Sequence, residues 1–188
     1  MIRQVNPKSG EFEKVEELRA AHIGSNPAGE PEYESIERTR DELSLHMGYF
    51  EANRMVGALR MTPLGHGLCF VERACDVRPW FPRLTEAFDA NRLVLDRSHR
   101  GGHHLRNFLL LTADWMLKNT SFTHASALSR ERLSALYEDI GGLKVVDKIA
   151  WQQPDGQART YCLVSLSLET VCHTIKRRYG NEQHLQIA

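Results

Sequence analysis

Between residues 12 and 23 the apolar side chains Phe12, Val15, Leu18 and Ala21 to Ile23 recur at helical spacing in a charged segment, which predicts an amphipathic helix. The loop-forming run GSNPAGEP (24–31) ends it, and a polar helix is predicted around Glu34 to Arg40. The period then changes. Leu45, Met47 and Tyr49 alternate with Ser44, His46 and Gly48, and the pair Asn53-Arg54 separates this run from MVGALRM, so Leu43 to Met61 reads as an antiparallel hairpin. A third strand is predicted at Leu68 to Glu72 and a stronger one at Ala87 to Leu95; the two prolines of CDVRPWFPR keep the segment between them out of a sheet interior.

From Gly102 to Asn119, Leu105, Phe108, Leu109, Thr112 and Met116 form the core face of a long helix. THASAL follows as a short buried strand. Ser129 then reads as the N-cap of a helix carrying Leu133, Leu136, Tyr137 and Ile140, with Gly141-Gly142 as its stop. Strands at Leu143 to Ala150 and Thr160 to Leu168 are joined by the turn Pro154-Asp155-Gly156. The order predicts an α/β (α+β) chain: a mixed, mostly antiparallel sheet with helices on both faces.

Composition narrows the class. At 188 residues without repeats or a low-complexity linker, the chain reads as one domain over 1–188. Lys+Arg 24 against Asp+Glu 24 gives no global field to attract nucleic acid or an anionic membrane. No apolar run approaches the roughly 20 residues of a bilayer span, and the N-terminus is too polar for a signal peptide, so a cytoplasmic protein is expected. Cys69, Cys75, Cys162 and Cys172 form no C-x-x-C pair and read as reduced, partly buried thiols.

The junction Leu93 to Leu105 carries the most chemistry. A β-rich strand ends in Leu93-Val94-Leu95-Asp96, the turn RSHRGGHH follows, and a helix begins. A helix N-terminus offers unpaired N–H groups and partial positive charge, Gly101 and Gly102 admit close approach, and Arg97, Arg100 and Arg106 add charge. The turn suits a pyrophosphate or phosphopantetheine phosphate; an ordinary strand-to-helix turn with solvated arginines accounts for it equally. Its spacing matches neither the P-loop nor the dinucleotide fingerprint. His99, His103 and His104 do not read as a metal site: the last two point about 100° apart on a forming helix, and only Asp96 stands nearby to complete a ligand set.

Three segments together resemble the Gcn5-related N-acetyltransferase (GNAT) superfamily. Arg100-Gly101-Gly102-His103-His104-Leu105 is similar to its coenzyme A pyrophosphate turn, with His103 and Leu105 in place of the later glycines. LSALYEDIGGLKVV is similar to the helix and strand whose tyrosine protonates the departing thiolate, a role the resemblance gives to Tyr137; a core-facing tyrosine is the alternative. VGALRMTPLGHGLCFVE with FDANRLVLD resembles the autoinducer (acyl-homoserine-lactone) synthases and long-chain N-acyl amino acid synthases at Arg60, Asp89, Arg92 and Asp96. The likeness spans Leu43 to Ile149. It implies a GNAT fold and an N-acyltransferase that uses acyl-CoA or an acyl carrier protein as thioester donor, a small-molecule amine as acceptor, and no metal. Without a Trp before Trp80, the N-terminal third departs from the autoinducer synthases.

Amine attack on a thioester needs a neutral amine, present at about one part per thousand at pH 7 for a pKa near 10. Asp89 is the first candidate base, with Glu72 and Glu86 as alternates. Arg92 is three residues from Asp89, so the two share a cleft only if a bulge intervenes. Exposed or salt-bridged strand arginines are the plainer account of Arg60 and Arg92. For a long acyl chain the candidate lining is Met55, Leu59, Met61, Phe70, Phe88, Phe108 and Trp115. An acetyl-coenzyme A acetyltransferase and a non-catalytic binding module of the same fold are the alternatives.

Overall fold

A computed structural model describes residues 1–22, 31–152 and 158–180. A short edge strand β1 (Ile2–Val5) leads to α1 (Phe12–His22) and α2 (Pro31–Leu43), then to the hairpin β2 (Leu45–Glu51) and β3 (Arg54–Pro63). After α3 (Phe70–Ala74) come β4 (Ala87–Leu95), α4 (Gly102–Asn119), β5 (His124–Ser129) and α5 (Glu131–Asp139). The chain closes with β6 (Leu143–Gln152), β7 (Ala158–Ser167) and α6 (Leu168–Tyr179).

The strands form one seven-stranded sheet in the order β1-β2-β3-β4-β5-β7-β6. Only β4 and β5 run parallel, the connection that requires a crossover, and α4 supplies it. Alternation along the strands sorts side chains to two faces. On one face Val56, Met61, Phe88 and Val164 pack against Phe108 and Met116 of α4 and Val171 and Ile175 of α6. On the other, Ala58 and Val94 meet Phe12 and Val15 of α1, while Ala87 and Leu163 meet Val71 of α3 and Phe81 of the loop after it. Each such side chain contributes about 1.5–3 kcal/mol on burial, so both faces must be covered for the sheet to persist.

The structure corrects several readings. Leu68 to Glu72 is not a strand: Phe70–Ala74 is a helical turn, because Glu72 turns back to accept from the N–H of Gly65 (2.7 Å) and of Cys69 (3.4 Å), which ends extended pairing. The hairpin turn is Ala52-Asn53, both at positive φ (46° and 65°), and Arg54 already pairs with Glu51, as a two-residue turn of this hand requires. Ser129 is not an N-cap. Its hydroxyl donates to the Arg130 carbonyl (3.1 Å), and Arg130 is the cap residue. Two elements went unread. β1 is too short to show a period, whereas α6 has an N-cap, Ser167, and an i, i+3, i+4, i+7 stripe at Leu168, Val171, Cys172 and Ile175. The GSNPAGEP loop, apart from its last residue, and the Pro154-Asp155-Gly156 turn lie outside the described residues.

Candidate functional site

β4 and β5 pair only over Ala87 to Asp89 and His124 to Ser126. Beyond that β4 runs on to Leu95 and β5 to Ser129, so the strands part and the edge of β4 from Ala90 onward is left unpaired on that side. On its other side β4 carries the bulge that the sequence left conditional. Ala58 pairs with Val94 but Arg60 pairs with Asn91, so Arg92 and Leu93 of β4 together oppose Leu59 of β3, and Arg92 sits at φ 53°. The extra residue turns Arg92 to the same face as Asp89 and Asn91, toward α2.

That face holds a cluster of buried charges. Arg60, with no exposed surface, donates from Nε to Asn91 Oδ1 (2.5 Å) and from Nη1 to Glu37 Oε2 and Asp41 Oδ1 (both 3.1 Å). Arg92 donates from Nη2 to Glu37 Oε2 (2.9 Å), Arg40 from Nη1 to Glu37 Oε1 (2.5 Å), and Arg19 from Nη1 to Asp41 Oδ1 (2.9 Å). Burial alone would raise the Glu37 carboxyl, but Arg60, Arg92 and Arg40 hold it at about 2. His46, beside Arg19, is pushed down to about 4 by burial and is neutral at pH 7. Four guanidinium groups thus gather around Glu37 and Asp41. Arg40 Nη2, Arg60 Nη2 and Arg19 Nε are buried without a hydrogen-bond partner among the described residues.

Asp89 stands between this cluster and the opening. It is 1% exposed and accepts from Asn91 Nδ2 (3.1 Å) and Ser126 Oγ (3.3 Å). Burial pushes its carboxyl up to about 6, against the pull of Asn91, Arg60, Ser126 and Arg40. Tyr137 on α5 lies within range of the Asp89 charge, and burial together with that charge pushes its hydroxyl up to about 12. The helix stop fixes this tyrosine: Gly141, at φ 97°, lets the Gly142 N–H reach the Tyr137 carbonyl (2.8 Å), and a Cβ on Gly142 would come within 2.8 Å of that oxygen. Of the alternate carboxylates, Glu72 is engaged in the turn of α3, and Glu86 accepts from Arg83 (3.0 Å) at the start of β4.

At the far end of β4, Leu93 is half-buried while Val94 and Leu95 are buried. Asp96 then accepts from the Ser98 N–H (3.0 Å) and turns the chain into α4. Arg97, Arg100, Gly101 and Gly102 are exposed, and no side chain caps the first turn of α4. Its N–H groups therefore remain available to an anion. Arg100 donates from Nε to the Leu95 carbonyl (3.3 Å), and Arg106 folds back until its guanidinium would lie 3.1 Å from a Cβ on Gly102. His103 and His104 are half-buried and stack edge-on (5.5 Å between ring centroids).

Not every candidate joins this region. Phe88 packs edge-on against Phe122 and Phe108 stacks on Tyr49 (5.2 Å), both inside the core under α4. Met55 points to the opposite face with α1, and the Arg40 guanidinium covers Phe70. The seven apolar residues expected to line an acyl tunnel are therefore spread over both faces, because the β2–β3 bulge reverses the parity of Met55 and Phe70 lies on α3. The sequence also missed Glu37, Arg40 and Asp41. Their i, i+3, i+4 spacing on a polar helix was the available signal.

No family model matches the sequence, and no curated protein matches it. Solved structures do. FeeM, an N-acyl amino acid synthase from uncultured soil microbes, superposes with a TM-score of 0.69 at 8% identity, over 95% of this chain and 96% of its own. The aminoglycoside 6'-N-acetyltransferase from Enterococcus faecium gives 0.59 at 10% identity, over 89% and 97%. The ribosomal-protein-S5-alanine acetyltransferase from Vibrio fischeri gives 0.58 at 15%, over 89% and 92%. The chain has the GNAT fold.

Proposed function

We propose that the protein is an N-acyltransferase that moves an acyl group from a pantetheine thioester, acyl-CoA or acyl carrier protein, to the amine of a small acceptor that also bears a carboxylate. The observation that carries this reading is the pair Asp89 and Tyr137 at the separation of β4 and β5, a carboxylate poised near 6 and a phenol held protonated near 12. Asp89 accepts a proton from the acceptor's ammonium, and the freed nitrogen attacks the thioester carbonyl. The C–N bond forms, the C–S bond breaks, and the Tyr137 hydroxyl gives its proton to the departing thiolate. The nitrogen's second proton replaces the one Tyr137 gave up, and the proton held by Asp89 returns to solvent, leaving an amide and a free thiol. Backbone N–H groups on the open edge of β4, at Leu93 to Leu95, would face the developing oxyanion, one such donor typically contributing about 3 kcal/mol. The phosphate lies at Arg97 and at Arg100 to His104.

The carboxylate on the acceptor follows from charge. Arg19, Arg40, Arg60 and Arg92 converge on this face, and buried N–H groups on Arg40 and Arg60 lack partners among the described residues. An acceptor carboxylate would satisfy them. A long acyl chain is favoured by the segments that resemble N-acyl amino acid synthases. An acetyl donor is favoured by the closed packing of Met61, Phe88 and Phe108. Turnover measured for acyl chains from C2 to C16, on coenzyme A and on acyl carrier protein, with free amino acids and their decarboxylated amines as acceptors, separates these. A long-chain enzyme gains nearly fourfold in affinity per methylene until its tunnel is full, at about 0.8 kcal/mol each. A maximum at C2 with steep loss beyond C4 assigns the acetyl donor, equal use of the decarboxylated amines rejects the anionic acceptor, and no turnover with any pair leaves a binding module.

A further inference from the structure

We propose that Glu51, His99 and His104 form a binding site for a divalent transition-metal cation of zinc-like chemistry, placed where the end of β2 meets the turn into α4. A carboxylate oxygen of Glu51 and one ring nitrogen from each histidine all lie within 4.8 Å of one another. Two imidazoles and a carboxylate are a donor set for zinc, cobalt or nickel, and three protein ligands leave coordination positions open.

The hydrogen bonds around the trio favour a cation over a chance cluster. Ser98 Oγ donates its one proton to Asp96 Oδ1 (2.8 Å), so at 2.8 Å from His99 Nδ1 it can only accept. The Nδ1–H of His99 is therefore committed, and its Nε2 points at Glu51 Oε2, 2.6 Å away, a spacing bridged by a shared proton that a cation would replace once the pair opens. A hydroxyl–carboxylate pair holding the far nitrogen is how metal-bound histidines are oriented and their tautomer set. His104 supplies the second, independent sign. Its Nδ1 is buried and has no hydrogen-bond partner among the described residues, while its ring meets that of His99 at 4.7 Å between centroids. A buried polar atom without a partner costs free energy unless something fills it.

The Glu51 side chain is 60% exposed and gives a cation both its entry path and room to open the ligands from their present spacing. Sequence reading rejected a metal at these histidines because only Asp96 stands near them in sequence; Glu51 lies 48 residues before His99.

The test is calorimetric titration of the untagged, chelator-stripped full chain with Zn²⁺ and with Co²⁺. One site per chain is expected, with an upward shift in melting temperature on loading and, for Co²⁺, visible absorption characteristic of four-coordinate cobalt. Glu51→Gln and His104→Ala each weaken binding about 100-fold, and Ser98→Ala about 10-fold, as loss of an orienting partner does. His173→Ala, an exposed histidine of α6 outside the trio, binds as the parent does. Should His99→Ala fail to fold, the Glu51 and His104 variants still decide the question. No stoichiometric binding by the parent chain, or binding that survives both Glu51→Gln and His104→Ala, overturns the site.

Discussion

Arg60 and Arg100 carry the same charge in opposite surroundings. Arg60 is wholly buried, held by Asn91, Glu37 and Asp41 from two other elements. Arg100 is exposed in a turn, and its only hydrogen bond among the described residues goes to the Leu95 carbonyl five residues back. The first belongs to a network of side chains assembled from α1, α2, β3 and β4. The second belongs to a site made mainly of backbone N–H groups. A buried network must be complete to be tolerated at all, because each missing partner strands a charge out of water. A backbone site at a helix end is present whenever the helix forms, and its arginines only tune it. Stability should therefore be sensitive at one end of β4 and phosphate affinity at the other.

The largest effect that would break this contrast is in stability. Arg60→Met keeps the volume but leaves Glu37 and Asp41 short of a partner and Asn91 Oδ1 unpaired. The loss should be about 3–5 kcal/mol, measured as a lower urea midpoint. Acid should erode the same cluster. The Glu37 pKa is depressed from 4.5 to about 2 in the fold, so its contribution is complete above 4.5 and is lost as pH falls from there toward 2. An unchanged midpoint in Arg60→Met would show that the cluster is not a stabilising network.

Tyr137→Phe addresses chemistry at the point where the two regions meet. It removes a hydroxyl that makes no hydrogen bond to a described residue, so folding stability should hold while turnover drops roughly 10- to 1000-fold. A variant that turns over normally, or one altered only in melting temperature, returns Tyr137 to a packing role.

The same contrast explains what could be read from sequence. The candidate phosphate turn is contiguous, from Leu93 to Leu105, and its signal of strand, glycines and helix start is local. The charge cluster joins Arg19, Glu37, Asp41, Arg60 and Arg92 across the chain, and only its strand members stood out. The bulge at Arg92 was posed as a condition, because nothing in FDANRLVL marks which residue takes positive φ. The packing of α6 was written in its own spacing and still went unread, whereas β1 has no period to read. Parity was the weak step: the extra β3 residue of the β2–β3 bulge sent Met55 and Met61 to opposite faces, and no alternation rule survives a bulge it cannot see.

A smaller effect concerns protons. Asp89 must be ionised to serve as a base, and its pKa is raised from 3.8 to about 6. The profile of kcat/KM against pH should therefore fall about tenfold per unit below that point, since the base disappears in proportion to its protonation. Asp89→Asn should lower the rate and abolish this acid limb. A parent profile whose limb falls near 4 would mean that Asp89 is hydrated during turnover and not enclosed.

The smallest effect separates the two arginine settings by salt. Arg100→Glu replaces attraction with repulsion beside a helix N-terminus, so the dissociation constant for coenzyme A should rise at least about tenfold at low ionic strength. Arg100 faces water, so this difference should be screened: the Debye length contracts from about 8 Å at 0.15 M to about 3 Å at 1 M, and the ratio should shrink to a few-fold. The stability lost in Arg60→Met should stay nearly constant over the same range, because salt does not enter a buried cluster. Titrations of both variants at the two ionic strengths give the comparison directly. If the Arg100→Glu ratio were as insensitive to salt as the Arg60→Met loss, the turn would close over its ligand and shield the arginine from solvent, and the division between a buried network and an open backbone site would fail at that end of β4.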